Sequence, residues 1–394
     1  MNPKEIKPEI YSVGAVDWDR RLFDSLIPLP DGTSYNSYLI RGKEKVALID
    51  TVDPTMTGVL MSHLDALGIR SLDYVIANHA EQDHSGSLPQ VLARYPEAKV
   101  ISTPRCKEML TSHLHLPEDR MVTVNDRETL SLGNKTLEFI HFPWVHWPET
   151  MLTYVREDRT LFPCDLFGSH LATSEIYVHD EGRVYEAAKR YYAEIMMPFR
   201  LNIQRNYDRL KEYTIDTIAP SHGTIHLKPE FIMGAYHEWL FAEPKNSAVI
   251  PYVSMHGSTR TMVAYLAEAL SGRGVGVQQF DLTVTDPGKL AISLVDAATV
   301  IIGTPTVLGA AHPAAAYAVF LANALRPKLK FATVIGSFGW GGRTVEQLTA
   351  MLPNLKVQII EPVMIKGLPR ESDFQALDKL ADSIAAGHKE LKLT

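Results

Sequence analysis

The chain is 394 residues long, which suits two ordinary domains better than one. Hydrophobic residues make up 45% and charged residues 22% of it, so a disordered or fibrous protein is excluded. The net charge of −7 argues against a nucleic-acid-binding protein, and no run approaches the roughly 20 apolar residues of a membrane span. Residues 1–9 are charged and lack the apolar core of a secretory signal, so we expect a cytoplasmic protein.

The chain before Phe241 alternates short strands, loops and a few helices. Its strand-like runs are rich in β-branched and aromatic residues and end at turn residues. Strands are predicted at Asn36–Ile40, Lys45–Asp50, Tyr74–Asn78, Lys99–Ser102, Leu137–Phe142, Met151–Val155, Thr160–Cys164 and Thr217–Pro220. Helices are predicted at Gly58–Ala66, Leu88–Arg94, Arg105–Leu114 and Glu181–Ile195. Many strands with helices outside them predict a layered α/β sandwich.

After Phe241–Ser247, strand and helix alternate strictly. Strands are predicted at Ala248–Val253, Val275–Leu282, Thr299–Gly303, Phe331–Ile335 and Val357–Pro362. Helices are predicted at Thr259–Leu270, Pro287–Leu294, Pro313–Leu325, Val345–Leu352 and Asp373–Ala386, the last with Ser372 as its N-cap. Five strands buried on both faces, each followed by a helix, predict a doubly wound parallel sheet. We therefore expect two domains, residues 1–246 and 247–394.

Potential metal ligands are densest just after the predicted strand Tyr74–Asn78. Four ligand-type residues, His79, Glu81, Asp83 and His84, fall within six positions there. In an extended segment alternate side chains point the same way, so the first three can converge. The two cysteines of the chain form no CxxC pair, which argues against a zinc ribbon or a cysteine-ligated iron–sulfur centre.

Three further ligand-type residues, His146, Asp165 and His222, also leave strand-like runs. The set of four imidazoles and three carboxylates suits two divalent ions, with one carboxylate bridging them and with open positions for a small substrate. Imidazole and carboxylate ligands favour iron, manganese or zinc. The alternative is a polar loop in which Asp83 and Ser85 cap a helix, but seven such residues near strand ends favour the metal site.

A phosphate-binding loop is predicted after the first strand of the second domain. Small, hydroxyl and glycine residues there let backbone N–H groups surround a phosphate at a helix N-terminus. They are Ser254, Met255, His256, Gly257, Ser258 and Thr259. The loop lacks the Gly-Lys-Ser/Thr of a nucleoside triphosphate site and the GxGxxG of a dinucleotide site. It looks like the FMN phosphate loop of flavodoxins.

Two more loops follow the third and fourth strands, at the edge where an open α/β sheet binds ligands. They can clasp an isoalloxazine ring, with Trp340 or Phe338 as its aromatic face. Their candidate residues are Thr304, Pro305, Thr306, Val307, Gly309, Ser337, Phe338, Gly339, Trp340 and Gly341. Each loop alone is a weak signal, but three loops in register predict a flavin site.

The His-x-Glu-x-Asp-His run, followed by His146, Asp165 and Ser-His222-Gly, resembles the metallo-β-lactamase-like domain of flavodiiron proteins. The resemblance spans nearly the whole chain and implies an N-terminal αββα sandwich followed by a flavodoxin-like domain. The hydrolases of this superfamily carry a histidine where Glu81 stands, and an oxygen ligand there shifts preference from zinc to iron. Two positions depart from the family: many members have a histidine at Asp24 and a tryptophan at His226.

The resemblance implies that the protein binds FMN and two non-haem iron ions. It implies that these cofactors together reduce dioxygen to water, nitric oxide to nitrous oxide, or both. FMN and the iron pair hold two electrons each. Together they hold four electrons, the number that reduces one dioxygen molecule to two waters. It also implies that the iron ligands themselves are the catalytic residues, and that a separate donor such as rubredoxin or a flavin-linked reductase supplies electrons. It further implies a head-to-tail homodimer, or a tetramer of such dimers. Two alternatives stay open: a dinuclear metal hydrolase with a fused flavodoxin-like domain, and an electron carrier without metal.

Overall fold

Two units of chain make separate sets of internal contacts in this computed structural model, which describes residues 2–393. The first unit comprises the chain up to Tyr192 together with Phe199–Leu240. The second comprises Ala193–Pro198 together with the chain from Phe241. The division into domains 1–246 and 247–394 stays a prediction. No helix among residues 2–393 is both long enough and apolar enough to cross a membrane.

The first unit is built on short strands and seven α-helices within the described residues. Its strands are β1 Lys4–Lys7, β2 Ile10–Ser12, β3 Ala15–Asp17, β4 Leu22–Phe23, β5 Ile27–Pro28, β6 Thr33–Tyr35, β7 Tyr38–Arg41, β8 Val46–Ile49, β9 Tyr74–Ile76, β10 Lys99–Ser102, β11 Met121–Thr123, β12 Thr129–Ser131, β13 Thr136–His141, β14 Met151–Val155, β15 Thr160–Phe162 and β16 Thr217–Ile218. Its helices are α1 Thr57–Ala66, α2 Gln82–Ser85, α3 Leu88–Arg94, α4 Pro104–Leu114, α5 Glu181–Tyr191, α6 Arg200–Tyr207 and α7 Pro229–Phe241.

These strands form two main sheets in the described part of the first unit. The first has the order β1-β2-β7-β8-β9-β10-β11 and the second the order β12-β13-β14-β15-β16. The first sheet is antiparallel up to β8 and parallel from β8 to β11. Two small pairs, β3 with β6 and β4 with β5, lie outside the main sheets.

Hydrophobic residues on both faces of the first sheet hold this unit together. On one face, Leu48 packs in a buried cluster with Leu64 of α1 and Leu110 of α4. On the other, Ile76 lies in a second cluster with Phe139 of the second sheet. Burial of such apolar surface is the main stabilising term in folding. The layered α/β sandwich expected from the sequence is therefore confirmed.

The second unit contains one sheet, parallel except for one short strand, that is flanked by helices. Its strands are β17 Lys245–Tyr252, β18 Gly276–Asp281, β19 Ala297–Val307, β20 Ala310–Ala311, β21 Phe331–Phe338, β22 Gln358–Ile359 and β23 Val363–Lys366. Its helices are α8 Ser258–Gly272, α9 Pro287–Leu294, α10 Pro313–Leu325, α11 Thr344–Ala350 and α12 Glu371–Glu390. The order β18-β17-β19-β21-β22 is that of a flavodoxin-like sheet, as expected.

Two details of the second unit differ from the sequence-based expectations. The fifth strand position is shared, because β22 pairs with the start of β21 and β23 pairs with its end. The final helix has Arg370 as its N-cap rather than Ser372. The carboxylate of Asp373 accepts a hydrogen bond from the Arg370 N–H at 2.8 Å, which satisfies the backbone where the helix begins.

Candidate metal centre and flavin site

The segment from His79 to His84 turns into a short helix instead of staying extended. His79 lies beyond the end of β9, Glu81 is the N-cap of α2, and Asp83 and His84 lie on that helix. The sequence argument for convergence by strand alternation is therefore wrong for Asp83. The helix divides the four ligand-type residues into two pairs, each of which joins residues from distant loops.

The first group of facing side chains consists of His79, Glu81, His146 and Asp165, all buried or nearly so. Oε2 of Glu81 lies 3.1 Å from Nε2 of both His79 and His146. Oδ2 of Asp165 lies 3.5 Å from Nε2 of His79 and 3.3 Å from Nε2 of His146. Two imidazole nitrogens and two carboxylate oxygens thus surround one point.

The second group consists of Asp83, His84 and His222. Nε2 of His222 lies 3.1 Å from Oδ2 of Asp83, and Nε2 of His84 lies 3.3 Å from Oδ1 of the same carboxylate. Oδ1 of Asp165 lies 3.0 Å from Nε2 of His84 and 3.3 Å from Nε2 of His222. Asp165 therefore turns one oxygen to each group, which is the arrangement of a bridging carboxylate.

Several buried polar atoms of these residues have no hydrogen-bond partner among the described residues. They are both oxygens of Asp83, both oxygens of Asp165 and both ring nitrogens of His84. Buried polar groups are ordinarily paired, because an unpaired one costs free energy. Unpaired carboxylate oxygens and imidazole nitrogens that face each other fit two divalent cations, so these residues suit the iron pair that the sequence implies.

The negative charge of the carboxylates raises the pKa of the neighbouring histidines. Burial alone would lower the pKa of His146, but the neighbouring carboxylates of Asp165 and Glu81 raise it to about 9. The same competition between burial and the neighbouring carboxylates of Asp165 and Asp83 raises the pKa of His222 to about 10. Burial would raise the pKa of Asp165, but the nearby histidines hold it well below its usual range. A field that attracts protons so strongly also attracts metal cations.

Hydrogen bonds from outside the ligand groups orient two of the histidines. Nδ1 of His79 donates to Oε1 of Glu149 at 2.6 Å, and Nδ1 of His222 donates to the Ser34 carbonyl at 2.6 Å. The Ser34 hydroxyl also accepts the Gly223 N–H at 2.8 Å. Such contacts fix which ring nitrogen of a histidine faces the metal. The sequence does not indicate these roles for Glu149 or Ser34, because each lies far along the chain from its histidine.

Three other titratable residues have shifted pKa values: His170, to which the sequence assigns no role, and Asp24 and His226, the two positions that depart from the family. His170 is buried with its ring 4.8 Å from that of His222, and burial lowers its pKa well below the usual value. His226 is buried in a bridge with Ile218, and burial lowers its pKa to about 4. Desolvation of the Asp24 carboxyl and the charge of Glu81 raise the pKa of Asp24 to about 6.

In the second unit, the predicted phosphate loop leads directly into α8. Gly257 is the N-cap of this helix, with a φ of 93° that favours glycine and no side chain to cap the helix. A Cβ on Gly257 would meet nothing within 4 Å, so space is open beside the first backbone N–H groups. The Ser254 hydroxyl accepts the Arg260 N–H at 3.1 Å and closes the loop. An open helix N-terminus with small residues fits a phosphate.

The other two predicted flavin loops reach the same edge of the sheet. The third strand, β19, is longer than predicted, because Thr304–Val307 continue it into a hairpin with β20. Pro305 pairs with Ser337 at the end of β21, and the Ser337 hydroxyl lies 3.5 Å from that of Thr259. The structure thus brings the three segments together. The side chain of Trp340 is 75% exposed, so it is free to cover a ligand there.

Comparison with known proteins agrees with this architecture. A family model described as ODP family beta lactamase matches residues 33–223. The chain is 37% identical over 393 residues to a protein of Moorella thermoacetica named nitric oxide reductase, with 98% of each chain covered. It matches the solved rubredoxin oxygen:oxidoreductase of Desulfovibrio gigas with a TM-score of 0.93 and 30% identity over 99% of each chain. It matches the flavodiiron protein of Giardia intestinalis with a TM-score of 0.91 and 27% identity over 100% of this chain and 99% of that one. The chain therefore belongs to the flavodiiron protein family.

Proposed function

We propose that this protein is an oxidoreductase that reduces dioxygen to water, nitric oxide to nitrous oxide, or both. Dioxygen takes four electrons and four protons to give two waters, and two nitric oxide molecules take two electrons and two protons to give nitrous oxide and water. The names of the relatives, which describe reduction of oxygen or of nitric oxide by those proteins, support this assignment.

The observation that carries the proposal is the position of Asp165, which turns Oδ2 to the first ligand group and Oδ1 to the second. Two metal ions held there are adjacent, and a pair of iron ions supplies redox-active positions at which a small molecule can bind. The chain's own contribution is to hold and orient that pair. His79, Glu81, His146 and Asp165 would hold one ion, and Asp83, His84, His222 and Asp165 the other.

Iron rather than zinc is supported by the balance of oxygen and nitrogen donors. Glu81 gives the first group two carboxylates for two imidazoles, with Oε2 aimed at both histidines. The zinc hydrolases that this domain resembles carry a histidine at this position. The hydrolase alternative is disfavoured by Glu81 and by the oxidoreductase names of the relatives.

FMN is proposed as the electron reservoir, held by the loop Ser254–Thr259 at the start of α8 and by the ends of β19 and β21. Bound there, the flavin supplies stored electrons for transfer to the metal pair. The proposed immediate donor is a separate protein, a rubredoxin or a flavin-linked reductase. We also propose the cytoplasm as its location and a head-to-tail homodimer, or a tetramer of such dimers, as its assembly.

Metal analysis combined with a visible absorption spectrum of the purified protein tests the proposal. We expect about two iron ions per chain, from the two ligand groups, together with the absorption bands of a bound flavin. Zinc in place of iron would support the hydrolase, and flavin without metal would support an electron carrier; either result would overturn the assignment.

A further inference from the structure

The loop that carries His222 is held by a single asparagine from a distant part of the chain. This loop, which we call the His222 loop, runs from Pro220 to Gly223 after β16, and Asn36 lies in the short link between β6 and β7. Nδ2 of Asn36 donates to the Pro220 carbonyl at 2.9 Å and to the Gly223 carbonyl at 2.8 Å. The backbone N–H of Asn36 donates to the Ser221 carbonyl at 2.8 Å. One residue therefore binds the loop on both sides of His222.

The chemistry of these contacts requires an amide at position 36. A carbonyl oxygen only accepts hydrogen bonds, so both N–H groups of the Asn36 amide point to the loop. A carboxylate of the same size has no N–H to donate, and its oxygens would repel the two carbonyls. The side chain of Asn36 is half-buried, so water replaces the lost bonds only in part.

Further hydrogen bonds connect the His222 loop to the rest of the metal centre. The imidazole Nδ1 of His222 donates to the Ser34 carbonyl at 2.6 Å, two residues before Asn36. On the other side, the Ser221 N–H donates to the Cys164 carbonyl at 2.8 Å, and Cys164 directly precedes the bridging Asp165. The position of the loop thus determines where the ring of His222 lies relative to the bridge.

The loop serves only one of the two ligand groups. His222 belongs to the second group, with Asp83 and His84, and its Nε2 lies 3.1 Å from Oδ2 of Asp83. No member of the first group lies on this loop, and His79 of that group is held by Glu149 instead. A loosened His222 loop should therefore weaken one ion more than the other.

We propose that Asn36 is a positioning residue of the metal centre, which holds the His222 loop by its two amide hydrogen bonds and thereby strengthens metal binding at the second ligand group. The proposal rests on the iron-binding function proposed above. It gives the two ions separate supports, Glu149 for the first and Asn36 for the second.

The test measures iron release from the wild type, Asn36→Asp and Asn36→Ala during dialysis against a graded series of an Fe²⁺ chelator. Both variants lose the two N–H groups, so we expect the affinity for one ion to fall by about 10-fold or more and that for the other to stay within about 3-fold of the wild type. The control is Asn206→Asp. Asn206 is also half-buried, but its Nδ2 donates to the Asn202 carbonyl within α6, so this variant should release iron as the wild type does.

The loss of one ion has a spectroscopic signature that a general loss of stability lacks. A coupled pair of ferric ions gives no electron paramagnetic resonance signal, whereas a lone ferric ion gives one. At a chelator concentration that leaves the wild type intact, oxidised Asn36→Asp should contain about one iron per chain, from the one group whose support is unchanged, and show the signal of a lone ferric ion.

Release of both ions at the chelator concentrations that the wild type needs would overturn the proposal. An equal weakening of both ions, or a loss of iron in proportion to a loss of far-UV circular dichroism, would also overturn it, because either result assigns to Asn36 a role in the fold alone. So would selective loss of one ion from Asn206→Asp. Absence of iron from the wild type itself would refute the proposed function, so the two failures are distinguishable.

Discussion

His79 and Glu149, which are 70 residues apart in the chain, are joined by a 2.6 Å hydrogen bond from the imidazole Nδ1–H to a fully buried carboxylate. The same carboxylate oxygen also accepts the Ala80 N–H at 2.9 Å. One buried glutamate thus fixes both the ring of His79 and the backbone that follows it. This bond leaves Nε2 of His79 to face the metal ligands.

Replacing Glu149 with glutamine should weaken metal binding without disturbing the fold. The amide keeps the size of the side chain but removes the charge that strengthens the bond to His79, so we expect iron affinity to fall by about 10-fold. Chelator competition measures it. The matched control is Glu138→Gln, since Glu138 is a buried carboxylate of the same unit that binds Arg156 and Tyr213 instead. Equal iron retention in both variants would contradict the role of Glu149.

Glu81→His should change which metal the protein holds. If the oxygen ligand sets the preference for iron, a nitrogen ligand at this position lowers iron content or shifts binding towards zinc. Metal analysis after expression with both metals supplied gives the ratio, and flavin absorbance shows that the second unit is unaffected. Iron content and turnover equal to those of the wild type would contradict the claim that the Glu81 oxygen sets the preference for iron.

Ser258→Glu should release the flavin. Ser258 is the first residue of α8, where we place the phosphate, and a carboxylate there repels that phosphate. Thr261→Glu is the control, because it puts the same charge at an exposed position less than one turn further on. We expect the control to keep its flavin. Full flavin occupancy in Ser258→Glu would show that the phosphate binds elsewhere.

The proposed dimer predicts that two inactive variants complement each other. One lacks His79 and Asp165, and the other carries Ser258→Glu. If electrons pass from the flavin of one subunit to the metals of its neighbour, heterodimers formed by subunit exchange regain one intact pair. Counting symmetric sites gives about half of the wild-type activity per heterodimer. The idea fails if activity does not return although exchange is demonstrated, or if a monomer is active in solution.

Strands and candidate site residues could be predicted where an apolar run ends at a turn and a polar side chain follows it. The strands Lys99–Ser102 and Met151–Val155 match their predicted bounds, because apolar β-branched and aromatic runs end at clear turns. The candidate ligand residues were recognisable because polar side chains at strand ends are conspicuous, and the structure brings them together in two groups. By contrast, β1 was missed, since its Lys-Glu-Ile-Lys sequence has almost no apolar character and it becomes a strand only by pairing with β2.

The contacts between distant residues were the least predictable part of the site. Neither the position of His84 on a short helix nor the hydrogen bond between His79 and Glu149 has a local pattern that indicates it. The bridging position of Asp165 depends on how four loops converge, and that convergence is a property of the two packed sheets.

The candidate ligands come from four segments of chain between His79 and His222, and this spread has a consequence for biosynthesis. The first segment supplies parts of both ligand groups, but neither group is complete until distant loops have been brought to it. A nascent chain therefore offers only fragments of a site while it leaves the ribosome. Metal ions held by both groups would therefore be bound only after the chain has folded.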